Sequence, residues 1–227
     1  MLFDIDGTLL ASGGAGRRAM EGALSEVFGG AGPRSYRYDG KTDPQIVRDL
    51  MLLAGHDDGH IDSNLASLME RYLAGLTREV IGGSFAVRTL PGVPALLDAL
   101  ESREDVVLGL LTGNLERGAA IKLRAAGIDP DRFRVGAYGS DHAHRPALPA
   151  IAQRRARELL GLDVAGERVV VIGDTPADIE CGRDIGARSI AVATGYFTIE
   201  ELERHAPAAV LADLQDTDNV IRIILDA

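Results

Sequence analysis

Met1-Leu2-Phe3-Asp4-Ile5-Asp6-Gly7-Thr8-Leu9-Leu10 is the stretch from which the rest of the chain can be read. Leu2, Phe3 and Ile5 form a short apolar run that predicts a buried strand, and Gly7 ends it. Asp4 and Asp6 stand where that strand gives out. Side chains at i and i+2 of an extended backbone share a face, so the two carboxylates are expected to converge on one centre. At the C-terminal end of a parallel strand, that centre lies where open α/β sheets bind ligands. Gly7 lets the backbone turn sharply away.

Downstream, the hydrophobic pattern divides the chain. Ser12-Gly13-Gly14-Ala15-Gly16 reads as a flexible connection. Three helical periodicities follow: Ala19 to Phe28, a helix opened by Asp43-Pro44, and a longer one from Ile61 to Leu76. No strand pattern interrupts residues 15–80, and Gly82-Gly83-Ser84 reads as a second flexible stretch. From Leu90 onward strands alternate with helices. Val106–Leu111, Phe133–Tyr138, Arg168–Ile172, Ser189–Val192 and Ala208–Leu211 read as strands. Helices are expected from Pro94, through Ile121, over 147–160, over 176–185 and over 220–225. Apolar strands alternating with helices predict a parallel sheet covered on both faces. The expected fold is therefore α/β: a Rossmann-like core of residues 1–12 and 89–227, interrupted by an all-helical cap of residues 13–88.

Two further stations sit at expected strand ends. Thr112-Gly113-Asn114 offers a hydroxyl and accessible backbone N–H groups suited to a phosphate, although Thr112 is equally readable as a helix cap. Gly173-Asp174-Thr175-Pro176-Ala177-Asp178 brings two more carboxylates, of which Asp178 also suits the first turn of a helix. Asp4, Asp6, Asp174 and Asp178 together place four negative charges in one cleft. Such a cluster calls for a cation, and its hard oxygen donors suit Mg²⁺.

Asp4-Ile5-Asp6-Gly7-Thr8 resembles the first motif of the haloacid dehalogenase-like (HAD) superfamily, in its helical-cap, phosphoglycolate phosphatase and β-phosphoglucomutase-like branch. The resemblance implies that Asp4 is an aspartyl nucleophile and Asp6 a general acid and base. It implies that Thr112, with Gly113 and Asn114, holds a phosphoryl group. It also implies that Asp174 and Asp178 ligate or support Mg²⁺, with Asp4 through its carboxylate and Asp6 through its backbone carbonyl. The family usually supplies a Lys before Pro at a further station, and here the chain departs. Its only lysines are Lys41, in the insertion, and Lys122, in the helix after Thr112. Arg145-Pro146 falls where Lys-Pro belongs, and arginine keeps the charge and can grip two phosphate oxygens. In the cap, Arg17, Arg18, Lys41 and Arg48 are candidates to meet an anionic substrate. Gly40-Lys41-Thr42-Asp43 is the leading specificity segment.

These roles predict a Mg²⁺-dependent phosphatase acting on a small anionic phosphorylated metabolite through an aspartyl-phosphate on Asp4. Asp6 argues against the dehalogenase branch, which lacks an Asp there because halide leaves without a proton. A β-phosphoglucomutase-like phosphotransferase and a HAD-fold binding protein without turnover remain as alternatives. A phosphonate hydrolase needs a cap lysine, for which only Lys41 is available.

The 227 residues carry 34 acidic and 24 basic side chains, a formal charge of −10. This argues against nucleic acid as the partner, since no basic stripe is present to meet phosphates. Cys181 is the sole cysteine, which excludes an intrachain disulfide and a cysteine metal cluster. No signal-type segment stands at Met1, and no apolar run approaches the roughly 20 residues needed to span a bilayer. A cytoplasmic protein, monomeric or dimeric and not membrane-bound, is expected. Because the first strand begins at Met1, a few residues are expected to precede it in the native chain.

Overall fold

The computed structural model describes residues 1–82 and 85–226. Gly83 and Ser84, part of the expected second flexible stretch, lie outside the described residues. The strands are β1 (Leu2–Phe3), β2 (Leu10–Ala11), β3 (Arg88–Thr89), β4 (Gly109–Thr112), β5 (Val135–Tyr138), β6 (Val170–Gly173), β7 (Arg188–Val192) and β8 (Ala209–Leu211). The helices are α1 (Ala15–Phe28), α2 (Asp43–Leu53), α3 (Asp58–Gly82), α4 (Val93–Glu101), α5 (Glu116–Ala125), α6 (Leu148–Leu160), α7 (Pro176–Cys181), α8 (Ile199–Glu203) and α9 (Thr217–Asp226).

Six strands make one sheet in the order β5-β4-β1-β6-β7-β8, and every pairing is parallel. Register fixes the two faces. Phe3 pairs with Leu110 and Ile172, and Leu2 with Gly109 and Val171. Phe3, Leu110 and Ile172 point into a cluster that includes Leu97 of α4, Leu123 of α5 and Ile224 of α9. Leu2, Leu111 and Val171 point the other way, into a cluster with Leu148 and Ala152 of α6 and Cys181 of α7. Both faces are therefore buried, which is why β4 and β6 are apolar without alternation. Burial pushes the Cys181 thiol up to about 12, so it packs as a small apolar group.

The chain runs outward from β1 in both directions, to β4 and β5 on one side and to β6, β7 and β8 on the other. Such a reversal opens a crevice beyond the C-terminal strand ends. Helices α1, α2 and α3 share a third cluster, with Met20, Leu24, Val47, Leu50, Leu68 and Tyr72 at its centre, and Leu115 of the sheet layer packs into it.

Several local details differ from the sequence reading. Residues 10–11 and 88–89, where the chain leaves and re-enters the sheet layer, pair with each other as antiparallel β2 and β3. Two-residue strands carry no periodicity that a sequence pattern can register. The helix expected over 176–185 stops at Cys181, and a separate 3₁₀ turn covers Arg183–Ile185 after Gly182. Helix α8 was not anticipated; Thr198 and Glu201 close it with a reciprocal capping box. The cap of α2 is Thr42, whose Oγ1 accepts from the Gln45 N–H at 3.2 Å, and Asp43 is freed for another task.

Candidate active site

Asp4 follows β1, Thr112 ends β4, Asp174 follows β6, and Arg145 lies in the loop after β5. Four adjacent parallel strands thus deliver their ends to one place. Gly7 makes the approach possible. It adopts a left-handed φ of 84°, and a Cβ there would lie 2.3 Å from Asp174 Oδ2. The Thr8 hydroxyl donates to Asp174 Oδ1 at 3.1 Å, and the Thr194 hydroxyl donates to the Gly7 carbonyl at 2.6 Å.

The deep end of this cleft is a charge cluster. Ligand oxygens of Asp4, Asp174 and Asp178 all lie within 4.8 Å of one another, and all three residues are buried. Arg145 is 4% exposed. Its Nη2 pairs with Asp178 Oδ1 and lies 3.2 Å from Asp4 Oδ1. Its Nε is buried with no hydrogen-bond partner among the described residues. One guanidinium is therefore paired with two of the three clustered carboxylates. Burial raises the Asp4 carboxyl above the ordinary range; Arg145 opposes this, and Asp178 and Asp6 add to it. Burial, then Asp178 and Asp4, hold the Asp174 carboxyl well above that range. Asp178 Oδ2 accepts from the backbone N–H and hydroxyl of Thr175, and the Asp178 N–H donates back to Thr175 Oγ1, which closes the capping box of α7. Asp178 thus sits in the first turn of a helix and in the carboxylate cluster.

Asp6 turns to a different set of groups. Its Oδ2 accepts from Asn114 Nδ2 at 2.9 Å and from Lys122 Nζ at 2.6 Å, while Oδ1 accepts from the Ser12 hydroxyl at 3.1 Å. Burial alone would raise this carboxyl, but the Lys122 charge and hydrogen bonds from Lys122, Asn114 and Ser12 outweigh it and lower it. The Asp6 carboxylate is thus outside the three-residue cluster, while its residue lines the same cavity.

Thr112 is fully buried, and its Oγ1 accepts from Asn114 Nδ2 at 2.7 Å. Asn114 spends its side chain inside the protein, on Thr112, Asp6 and Lys122, so it organises the cleft more than it faces it. Gly113 is where the helical layer touches down. A Cβ on it would lie 2.0 Å from the Lys41 carbonyl oxygen. The Asp43 N–H donates to the Gly113 carbonyl at 2.8 Å, the Leu115 N–H donates to Asp43 Oδ2 at 2.8 Å, and the Thr42 hydroxyl donates to the Ala143 carbonyl at 2.7 Å. Asp43 therefore anchors the residue that precedes α5 from another element. Its burial raises the carboxyl to about 6, against the opposing charge of Lys122 and the Leu115 N–H bond.

The cavity enclosed between the strand ends and helices α1–α3 measures about 310 Å³. Asp4, Asp6, Thr112, Arg145 and Asp174 lie at its floor; Arg17, Tyr38, Lys41 and Ile46 line its other side. Lys41 Nζ is paired with Asp49 at 3.2 Å and sits over the Tyr36 ring. The other candidate cap cations are similarly engaged: Arg17 with Glu21, Arg18 with Glu79, and Arg48 with Asp58 and Asp62. Arg18 and Arg48 do not line the cavity.

Residues 145–217 match the family model described as HAD-hydrolase-like. A 5'-nucleotidase of Pseudomonas aeruginosa is 26% identical over 94% of this chain and 91% of its own. A phosphoglycolate phosphatase of Agrobacterium fabrum is 27% identical over 93% of this chain and 87% of its own. The chain is thus similar in sequence to members of the HAD-like superfamily. The CbbY structure from Rhodobacter sphaeroides in complex with phosphate shares the fold, superposing on this chain with a TM-score of 0.73 at 20% identity and covering 95% of this chain and 94% of that one.

Lys122 and Ser12 are cleft residues to which the sequence reading gave no role, while Asp43, read there as part of the Gly40–Asp43 specificity segment, also bonds the Leu115 N–H. Lys122 carried a signal: on α5 it falls in the stripe Leu115, Ala119, Leu123, which is apolar at every other position. A lysine inside a buried stripe is rarely solvated, and it needs a partner. No helix among the described residues is long and apolar enough to cross a membrane.

Proposed function

We propose that this protein is a Mg²⁺-dependent phosphatase that hydrolyses a small phosphomonoester through an aspartyl-phosphate on Asp4. The observation that carries the reading is the convergence of Asp4, Asp174 and Asp178 within 4.8 Å, beside the buried Arg145, with Asp4, Asp174 and Arg145 lining the floor of a cavity. Three hard anionic donors with one cation paired to two of them leave net negative charge in a buried site, and a divalent ion is what such a donor set fits. Asp4, Asp174 and Asp178 would hold Mg²⁺ through carboxylate oxygens, and Asp6 through its backbone carbonyl. When bound, the ion supplies charge stabilisation to the phosphoryl oxygens.

The chain's own residues divide the rest of the work. Asp4 attacks phosphorus as the bond to the leaving oxygen breaks, and Asp6 delivers a proton to that oxygen. A water then attacks the phosphorus of the aspartyl-phosphate, Asp6 takes a proton from it, and the bond to Asp4 breaks to release phosphate. Thr112 has its hydroxyl proton free to donate, and Arg145 supplies fixed positive charge beside Asp4, so both stabilise the equatorial oxygens. Lys41 and the Gly40–Asp43 segment close the cavity from the cap side and meet the leaving group. The names of the relatives support a phosphorylated small molecule as substrate.

The test is phosphate release from a panel of phosphomonoesters, including p-nitrophenyl phosphate, phosphoglycolate and nucleoside 5'-monophosphates. Each is run with Mg²⁺, with EDTA, and with Asp4→Asn. Magnesium-dependent release that the variant loses is the expected result. Release that persists in EDTA or in Asp4→Asn would overturn the reading.

A further inference from the structure

The two cations buried in the cleft serve different carboxylates. Arg145 takes Asp4 and Asp178, whereas Lys122 takes Asp6. Lys122 is 4% exposed, and its Nζ lies 2.6 Å from both Asp6 Oδ2 and Asn114 Oδ1. Asn114 Nδ2 completes the set on Asp6 Oδ2 at 2.9 Å. That oxygen therefore holds two donors, one of them charged. Among the described residues Oδ1 has only the Ser12 hydroxyl, which can accept a hydrogen bond as readily as it donates one. Space around the ammonium is tight: a Cβ on Gly16 of α1 would lie 3.2 Å from Nζ. A lysine this buried is costly unless its pairing is used, and a solvated helix-face role is excluded by its exposure.

We propose that Lys122 is a positioning residue for Asp6, pinning Oδ2 together with Asn114 so that Oδ1 is the oxygen that exchanges the proton with the leaving group. This rests on the phosphatase reading above. Lys122 touches no reacting atom in this account; it fixes the rotamer of the residue that does. The transfer balances within the reaction already described. The proton on Asp6 Oδ1 moves to the leaving oxygen as its bond to phosphorus breaks, and the attacking water later returns one.

The consequence is a dependence on leaving group. An alkoxide leaving group needs its proton, whereas p-nitrophenolate departs without one. The parameter to read is kcat/KM, which runs only as far as formation of the aspartyl-phosphate and so isolates the first transfer. For Lys122→Met, kcat/KM on an alkyl phosphate is expected to fall about 100-fold, within the range for loss of a general acid. On p-nitrophenyl phosphate it is expected to stay within about threefold of wild type, because no acid is needed there. Gly16→Ala keeps the lysine while crowding Nζ. It is expected to show the same selective loss to a smaller degree, which covers the case in which Lys122→Met does not fold. Equal losses on both substrates in either folded variant, or no loss, would overturn the proposal and leave Lys122 a packing residue. A wild-type enzyme with no magnesium-dependent release from any member of the phosphomonoester panel would instead overturn the phosphatase reading itself.

Discussion

The floor and the roof of the cleft are built on different physical terms. On the floor, Asp4, Thr112, Arg145 and Asp174, together with Asp178 clustered against them, are each less than a tenth exposed and are held by strand ends and helix caps. On the roof, Arg17 and Lys41 are about a third exposed, and their ion pairs are with neighbours in the same helical layer. Charge on the floor is scarcely screened, so each group changes its neighbours' ionisation. Charge on the roof is shared with water and is worth little pair by pair. On the proposed reading the floor is where chemistry is fixed, and the roof is where substrate preference can drift without loss of the fold.

That contrast can be broken at graded points. Asp174→Asn strikes the floor hardest. It removes one of three like charges, so activity is expected to fall at least about 100-fold while metal-free stability rises, as expected where function holds repelling groups together. Turnover with Mg²⁺ and urea midpoints in EDTA measure the two effects. If stability falls as well, the carboxylates are not in conflict and the floor is misread.

Arg145→Ala removes the one cation that Asp4 and Asp178 share. Leaving buried charges unpaired is expected to cost about 3–5 kcal/mol, read from the urea midpoint. Arg145→Lys keeps the charge but loses the fork, so it should recover most of that stability with reduced turnover. Equal stability in all three proteins would contradict the pairing.

Asp43 joins floor and roof, and its sign can be worked out. Burial raises its carboxyl in the folded state to about 6, above the usual unfolded value. Stability from this group is fully present below the unfolded value and is lost as pH rises through about 6. At neutral pH the buried charge is thus a cost of order 2–3 kcal/mol. Asp43→Asn can still accept from the Leu115 N–H, so it should flatten the stability profile between about pH 4 and 6 and match or exceed wild type at pH 7. An unchanged slope would show that Asp43 is not buried in solution.

The smallest effect is expected at the roof. Lys41→Ala should change stability by less than about 1 kcal/mol, as an exposed pair does. It should change p-nitrophenyl phosphate turnover little while reordering preference among larger phosphomonoesters. A loss on the floor's scale would place Lys41 in the chemistry.

The same contrast explains what the sequence made legible. The floor could be read because strand ends are marked by apolar runs that stop at Gly, Thr or Asp, as at Ile5-Asp6-Gly7, Leu111-Thr112-Gly113 and Ile172-Gly173-Asp174. Arg145 could be picked out only through the family resemblance, because Arg145-Pro146 stands where that family has Lys-Pro. Lys122 could not be assigned to Asp6, since the two are 116 residues apart and only tertiary packing brings them together. Asp43 looked like the cap of its own helix, but Thr42 caps α2 and the Asp43 carboxylate instead accepts from the Leu115 N–H just before α5. The pairing of β2 with β3 was invisible because two residues make no pattern.

The central claim is that the buried Asp4 is the group to which the phosphoryl is transferred. The most direct measurement is rapid acid quench during turnover with Mg²⁺ and p-nitrophenyl phosphate, followed by mass analysis of the N-terminal peptide. The account predicts one added phosphoryl group on Asp4, absent in Asp4→Asn and in EDTA. Steady turnover with Asp4 unmodified, or with the phosphoryl group on any other residue, would contradict it.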